Sequence, residues 1–256
     1  MACSPATLVL RWVLLPVALL AGACSAGPVE VVGLDPGSLG LGMVAYWSCD
    51  ESGEGPLVDR SGNRHDGSLF GPARIPGRFG GGLHFDSGNW VNVPSFPQAG
   101  RSFSVALWYR APAGDFGEGY LTLLGNQELS GGGWEMNTRL GAAGGEYHFA
   151  FPSGADGGAT AAYVETDQVE VDRWVHLAAV LDADGGRLAL FRNGQLADEA
   201  AVAALIQPGS DNLYIGRWID TQRFLVGDVD DVVVFNRALV PAEVRALVAG
   251  PAPELR

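Results

Sequence analysis

From Met43 onward, short runs of β-branched and aromatic residues return roughly every 8–15 residues, separated by Gly, Asn, Asp and Pro. The series is "MVAYWSC", "GLHF", "WVNV", "SFSVALWYR", "YLTLLG", "YHFAF", "WVHLAAVLD", "RLALFRNG", "NLYIG" and "DVVVFN". Runs of this length and composition read as strands. Asp184-Gly185-Gly186 and Asn193-Gly194 supply the positive φ that tight hairpins demand. Only "PAEVRALV", Pro241–Val248, has helical spacing, with Pro in its first turn and Gly250 as a stop. No linker divides residues 43–250, so the pattern predicts one all-β sandwich domain.

Composition narrows the function. With 47% apolar and 18% charged residues the chain is neither disordered nor a coiled coil, and no period of 20–50 residues suggests a repeat array. The formal charge is −13, and all 16 basic residues are arginine, which a GC-rich genome explains more simply than a binding role. Without a basic cluster nothing neutralises phosphates, so nucleic acid is not an expected partner. Peripheral attraction to anionic lipid is disfavoured for the same reason.

The amino terminus points to an anchored, exported protein. Arg11 precedes "WVLLPVALLAGA", too short to span a bilayer and the right length for the apolar region of a signal peptide. "LLAGAC", Leu19–Cys24, resembles the bacterial lipobox, although Ala21 stands where leucine is usual. The resemblance implies cleavage before Cys24 and a diacylglyceryl group on its thiol. Plain secretion through Ala21-Gly22-Ala23 is the alternative. The expected layout is a signal peptide at 1–23, a lipidated cysteine and flexible tether at 24–41, a folded domain at 42–250 and a tail at 251–256. The protein would then sit in a bacterial cell envelope, held to the membrane through its lipid and either periplasmic or surface-exposed. Only Cys49 remains for the fold, so no intramolecular disulfide is expected.

Several segments, in order, resemble the bacterial LamG-like (concanavalin A-like) jelly-roll family. They are "GMVAYWSCDESGEGPLVDRSGNRHDGSL", "PGRFGGGLHFDSGNWVNVP", "SFSVALWYRAP", "RWVHLAAVLD", "LALFRNG", "LYIGR" and "GDVDDVVVFNRALVPAEVRAL". The resemblance implies two antiparallel sheets packed face to face, with one short C-terminal helix. It also implies a structural calcium, for which the candidates are Asp59, Asn63, Asp86 and Asp230, drawn from oxygen-rich turns. One departure is Val240, which stands where a serine N-cap is usual and should cost about 1 kcal/mol of capping.

"GDVDDVVVFN" raises its own question, because three aspartates precede a run apolar on both faces. Strict alternation puts Asp228 and Asp230 on the face of Val232 and Val234, and Asp231 on that of Val233 and Phe235. A carboxylate entering a dry core needs compensation. For Asp230 this could be calcium, backbone amides, or an arginine such as Arg78 or Arg217. Asp228 is expected at a solvated strand entrance.

Catalysis finds little support. "ETDQVE" places Glu165, Asp167 and Glu170 at the spacing that resembles laminarinase-type glycoside hydrolases, but Thr166 and Gln168 replace the expected aliphatic residues. The segment reads as a solvated acidic stretch before "DRWVHLAAVL". The four histidines show no metal spacing, and no nucleophile elbow appears. His176 reads as a satisfied core histidine. Binding is the expectation. Trp47, Trp108 and Trp174 read as core, whereas Trp90, Trp134 and Trp218 lie beside turns and could face a sugar ring. "GRWIDTQRF" is the most suggestive stretch, with Trp218 beside Arg217, Asp220, Gln222 and Arg223. The expected function is a non-catalytic binding or adhesion module for glycans or cell-surface proteins. A divergent glycoside hydrolase and a structural envelope protein are the alternatives.

Overall fold

The computed structural model describes residues 39–114, 119–128, 132–141, 144–152, 160–166, 169–202, 208–219 and 223–250. The first ten strands are β1 (Met43–Trp47), β2 (Ser68–Phe70), β3 (Ala73–Pro76), β4 (Gly81–Phe85), β5 (Trp90–Val93), β6 (Phe103–Arg110), β7 (Tyr120–Gly125), β8 (Glu135–Gly141), β9 (Gly144–Pro152) and β10 (Thr160–Thr166). There follow β11 (Trp174–Asp182), β12 (Arg187–Arg192), β13 (Gln195–Ala201), β14 (Leu213–Ile215), β15 (Gly227–Phe235) and the helix α1 (Pro241–Val248).

These strands form two antiparallel sheets. The larger has eight strands in the order β13-β12-β11-β6-β15-β4-β3, with β1 also paired to β15. The smaller has seven, in the order β10-β9-β8-β7-β14-β5-β2. Alternate residues of both sheets meet in one apolar core that includes Trp47, Leu83, Phe85, Leu107, Tyr109, Trp134, Tyr147 and Phe149. The all-β sandwich is therefore as the pattern predicts. Both hairpin turns are as well: Asn193 and Gly194 have φ of 51° and 77°, and Gly186 has 62°.

Five strands are absent from the apolar series: β2, β3, β8, β10 and β13. They are short or polar on one face, so only their pairing reveals them. "EMNTRLG" in β8 is the clearest case, because Met136 and Leu140 enter the core while Glu135, Asn137 and Arg139 alternate with them.

The two sheets differ on their outer faces. On the eight-stranded sheet, Ala106, Ala178, Val180, Ala189, Phe191, Val233 and Phe235 form a second apolar cluster with Leu39, Leu239, Val244 and Leu247. The helix therefore lies on this face. Its first turn is held without a serine: Glu243 accepts the main-chain N–H of Val240 at 2.9 Å and a bidentate pair from Arg237. This capping-box carboxylate offsets the capping loss expected from Val240.

β15 holds the aspartates, and a bulge rearranges them. Its pairing with β6 slips between Asp230 and Val233, and Asp231 adopts φ 47°. Val229, Val232 and Val234 all reach the inter-sheet core. The extra residue thus breaks strict alternation, and Asp230 lies opposite Val229 on the outer side rather than with Val232 and Val234. Asp228 is also not at a solvated entrance. It is buried, taking Arg110 at 2.7 Å and His84 at 2.6 Å.

Candidate functional site

On the seven-stranded sheet the outer positions are polar or aromatic, and among the described residues no helix covers them. β14 shows the local rule: Leu213 and Ile215 are core residues, so Tyr214 faces out. The same alternation turns Trp90 and Asn92 of β5, Thr122 of β7, Glu135, Asn137 and Arg139 of β8, and Glu146 and His148 of β9 away from the core.

At the β5 and β14 end lies an aromatic platform. Phe70, 45% exposed, stacks on Trp90 with ring centroids 4.8 Å apart at 11°. The Arg217 guanidinium sits 4.8 Å from the Trp90 ring centre and 5.0 Å from that of Tyr214. It is fixed there by donating to the carbonyls of Trp218 and Ile219. The next residues build a second pair, in which Arg223 lies 4.6 Å from the Trp218 ring centre and reaches Glu135 at 3.4 Å. Trp218 Nε1 donates to Gln127 Oε1 at 3.1 Å.

The described residues on either side of this segment are tied to the sheet through their backbone. Gly216 N–H donates to Leu123 O, Leu225 N–H to Gly216 O, and Thr122 N–H to Arg223 O. At Gly216, φ is 86° and a Cβ would stand 2.5 Å from the Phe85 ring, so glycine is needed for the turn.

At the β8 to β10 end the face is ionic. Glu146 accepts from Tyr120 Oη at 2.9 Å and from Arg139 at 2.9 Å, and His148 stacks on Tyr120 at 4.9 Å. Burial pushes the Tyr120 hydroxyl up to about 12, helped by its bond to Glu146. Burial lowers His148 to about 4, so at neutral pH its ring is uncharged. Burial also raises the Glu135 carboxyl, against the pull of Arg223 and Asn137. Between the two ends, Thr122 Oγ1 and Asn92 Oδ1 are buried without a hydrogen-bond partner.

The structure therefore brings together Arg217, Trp218 and Arg223, and adds Trp90 to them. Asp220 and Gln222 lie outside the described residues, as do Cys24 and Asp167. Trp134 is a correction: at 1% exposure it packs among Phe103 and Phe149 and presents nothing to solvent. Trp174 is not core either, being half-buried under Arg110. Trp108 is buried, but on the outer side against Phe79 and His176. His176 is buried and lowered to about 3, yet its Nδ1 has no partner, so it is not satisfied. Glu165 lies on the edge strand β10 opposite His148, and Glu170 follows that strand half-buried, so the acidic stretch is partly strand rather than loop.

The four residues considered for calcium do not gather. Asp59 accepts the main-chain N–H groups of Tyr46, Ser61 and His65 and the Ser61 hydroxyl. Asn63 donates to the carbonyls of Met43 and Val44 in the same turn. Asp86 has a side chain 73% exposed beside His84. Asp230, 0% exposed, takes the amides of Phe79 at 2.9 Å and Asp231 at 2.7 Å. Its compensation is hydrogen bonding, and its neighbour Asp231 is held by the Tyr46 hydroxyl. Among the described residues no three His, Cys, Asp or Glu side chains form a metal-binding group. These donors therefore do not fit one calcium ion.

Sequence reasoning missed Tyr120, Thr122, Glu135, Asn137, Arg139, Glu146 and His148. The available signal was the period-two pattern in "EMNTRLG" and "GEYHFAF", where polar residues alternate with core ones.

Residues 85–245 match the profile of the concanavalin A-like lectin/glucanases superfamily. No curated protein sequence matches the chain. Among solved structures, domain 4 of an extracellular arabinanase from Geobacillus stearothermophilus, in complex with arabinotriose, is similar with TM-score 0.62 and 18% identity, over 80% of this chain and 98% of that one. The binding domain of botulinum neurotoxin serotype D is similar with TM-score 0.62 and 14% identity, over 82% of this chain and 52% of that one. The binding domain of Paraclostridial Mosquitocidal Protein 1 matches at TM-score 0.62 and 15% identity, with the same coverage of 82% and 52%. The chain thus spans about half the length of these toxin domains.

Proposed function

This chain belongs to the concanavalin A-like lectin/glucanase superfamily, and from that premise we propose that it is a non-catalytic glycan-binding module that takes its ligand across the outer face of the seven-stranded sheet. The observation that carries this reading is the Trp218–Arg223 and Trp90–Arg217 pairing beside buried polar groups with unspent hydrogen-bonding capacity. Sugar rings present apolar C–H faces to aromatic planes and hydroxyls to donors and acceptors. Both are here. From β5 to β9 is four strand steps, about 19 Å at ~4.8 Å per step. That span suits an oligosaccharide better than a single sugar. The arabinotriose held by the similar arabinanase domain supports the ligand class.

No described arrangement favours hydrolysis. Glu146 is held by Arg139 and Tyr120, and Glu165 stands exposed on an edge strand. A screen of the purified protein on immobilised glycans tests the reading. Binding of an oligosaccharide that Trp218→Ala abolishes is expected; turnover of a β-glucan by wild type, lost in Glu165→Gln, would refute it.

The module is presented at a bacterial envelope by a lipid on Cys24, a reading that rests on "LLAGAC". Cys24→Ser should abolish lipid labelling and release the protein from the membrane fraction. Unchanged membrane association would defeat the anchor.

A further inference from the structure

Next to the Trp218–Arg223 pair stands a carboxylate with no part yet in binding. Glu135 of β8 is 7% exposed, although it belongs to the outer, polar side of the seven-stranded sheet. Its main chain runs so close to β7 that a Cβ on the opposing Gly125 would stand 2.9 Å from Glu135 Cα. A carboxylate held at this depth needs a partner. That partner is Arg223, whose Nη1 lies 3.5 and 3.4 Å from the two carboxylate oxygens.

Arg223 in turn lies on the indole, with its guanidinium carbon 4.6 Å from the Trp218 ring centre. Trp218 is held at two further points. Its Nε1 donates to Gln127 Oε1 at 3.1 Å, and its main-chain carbonyl accepts from Arg217 Nε at 3.2 Å. Neither of those contacts involves a carboxylate, so Glu135 is where acid can act on the chain. The titratable and charged side chains that share its face are Tyr214 of β14, His148 and Glu146 of β9, Arg139 of its own strand, and Arg223. Of these, the charge that acts on Glu135 is that of Arg223. His148, lowered to about 4 by burial, stays uncharged above that pH.

We infer that Glu135 is a positioning residue of the glycan site: through Arg223 it fixes the Trp218 ring, and it makes glycan binding weaken in acid. The ligand part rests on the glycan reading above, whereas the link from Glu135 to the indole rests on the contacts alone. Glu135 acts without touching the sugar. When charged, it orients the Arg223 guanidinium against the indole. Burial raises the Glu135 carboxyl above its ordinary range, against the pull of Arg223 and Asn137. As pH falls through that raised value the carboxyl takes up a proton and the ion pair that orients Arg223 is lost. The step lies above about pH 4.3, the ordinary value for glutamate.

Two readouts test this, one of them without any ligand. The first is the Trp218 indole N–H resonance, assigned by its loss in Trp218→Phe and followed from about pH 7 to about pH 4. It should shift with acid in wild type, and in Glu135→Gln it should start shifted and stay there. The second is titration calorimetry with arabinotriose. Glu135→Gln should weaken binding about fivefold at neutral pH, the size of one partly exposed ion pair, and should remove the further loss in acid. In Trp218→Ala the same substitution should cost nothing more, because both act through one ring. Arg223→Gln should give the same indole result from the other end of the link, which covers the case in which Glu135→Gln does not fold. An indole resonance indifferent to acid in wild type overturns the positioning role, and so does a fivefold loss that persists in Trp218→Ala. Arabinotriose that fails to bind while the indole still follows Glu135 overturns the glycan half and leaves the positioning link standing.

Discussion

On the outer face of the eight-stranded sheet, Ala106, Ala178, Val180, Phe191, Val233 and Phe235 meet Leu39 and the apolar side of α1. On the outer face of the seven-stranded sheet, the comparable positions hold Asn92, Thr122, Glu135, Asn137, Arg139, Glu146 and His148. Both faces stand on the same kind of pleated backbone and share one core between them. The first is closed by the chain's own helix, so its residues can be apolar. The second keeps buried polar groups that weaken a fold unless paired. A face that offers both polar and aromatic side chains suits a ligand with hydroxyls and apolar C–H faces.

Four experiments test that contrast. Phe191→Ala opens a cavity beneath the helix side of the molecule and should cost about 3–5 kcal/mol, read as a lowered urea midpoint. If it melts like wild type, the covered face is not packed as described.

Asp230→Ala comes next. It strands the amides of Phe79 and Asp231, at a cost of about 2–5 kcal/mol for the two. Burial, with the Asp231 charge second, raises the Asp230 carboxyl to about 8. The native state therefore holds a proton that the unfolded chain releases near pH 4. Stability should fall as pH rises from about 4 to about 8, and Asp230→Asn should flatten that slope. A slope unchanged in Asp230→Asn would show that this carboxyl does not titrate in the fold. A metal held at 100 times its Kd would add about 2.7 kcal/mol, so a melting temperature that drops on adding EDTA would contradict the hydrogen-bonded account of Asp230.

Trp218→Ala tests the polar face. Glycan affinity should fall at least about tenfold, a loss near 1.4 kcal/mol, while thermal stability changes by less than about 1 kcal/mol. Destabilisation as large as that of Phe191→Ala would mean that the polar face is only a second packed layer.

The smallest effect concerns His84, at the end of the eight-stranded sheet. Its hydrogen bond to Asp228 raises its pKa, while burial opposes the rise. The stabilisation is present below about pH 6.5 and lost as pH rises through the folded value. His84→Gln should remove this small step and leave the larger Asp230 slope in place. A step that survives the substitution would assign it to another group.

The strand pattern alone implies the sandwich, because period-two apolar runs between glycine and asparagine turns bury their hydrophobic faces well only when stacked as sheets. The sequence also marked Arg217, Trp218 and Arg223, since they lie within seven residues of one another. Only the tertiary fold sets which outer face α1 covers and which carries the polar and aromatic residues. "SFSVALWYR" is apolar on both faces and "EMNTRLG" on one, but only pairing order sets which strands stand next to α1. The aspartates of β15 show the same limit. Alternation assigns their faces correctly only until one inserted residue, Asp231 at φ 47°, shifts the register. A bulge is defined by the partner strand it fails to match, and that strand, β6, is more than 100 residues away in the chain.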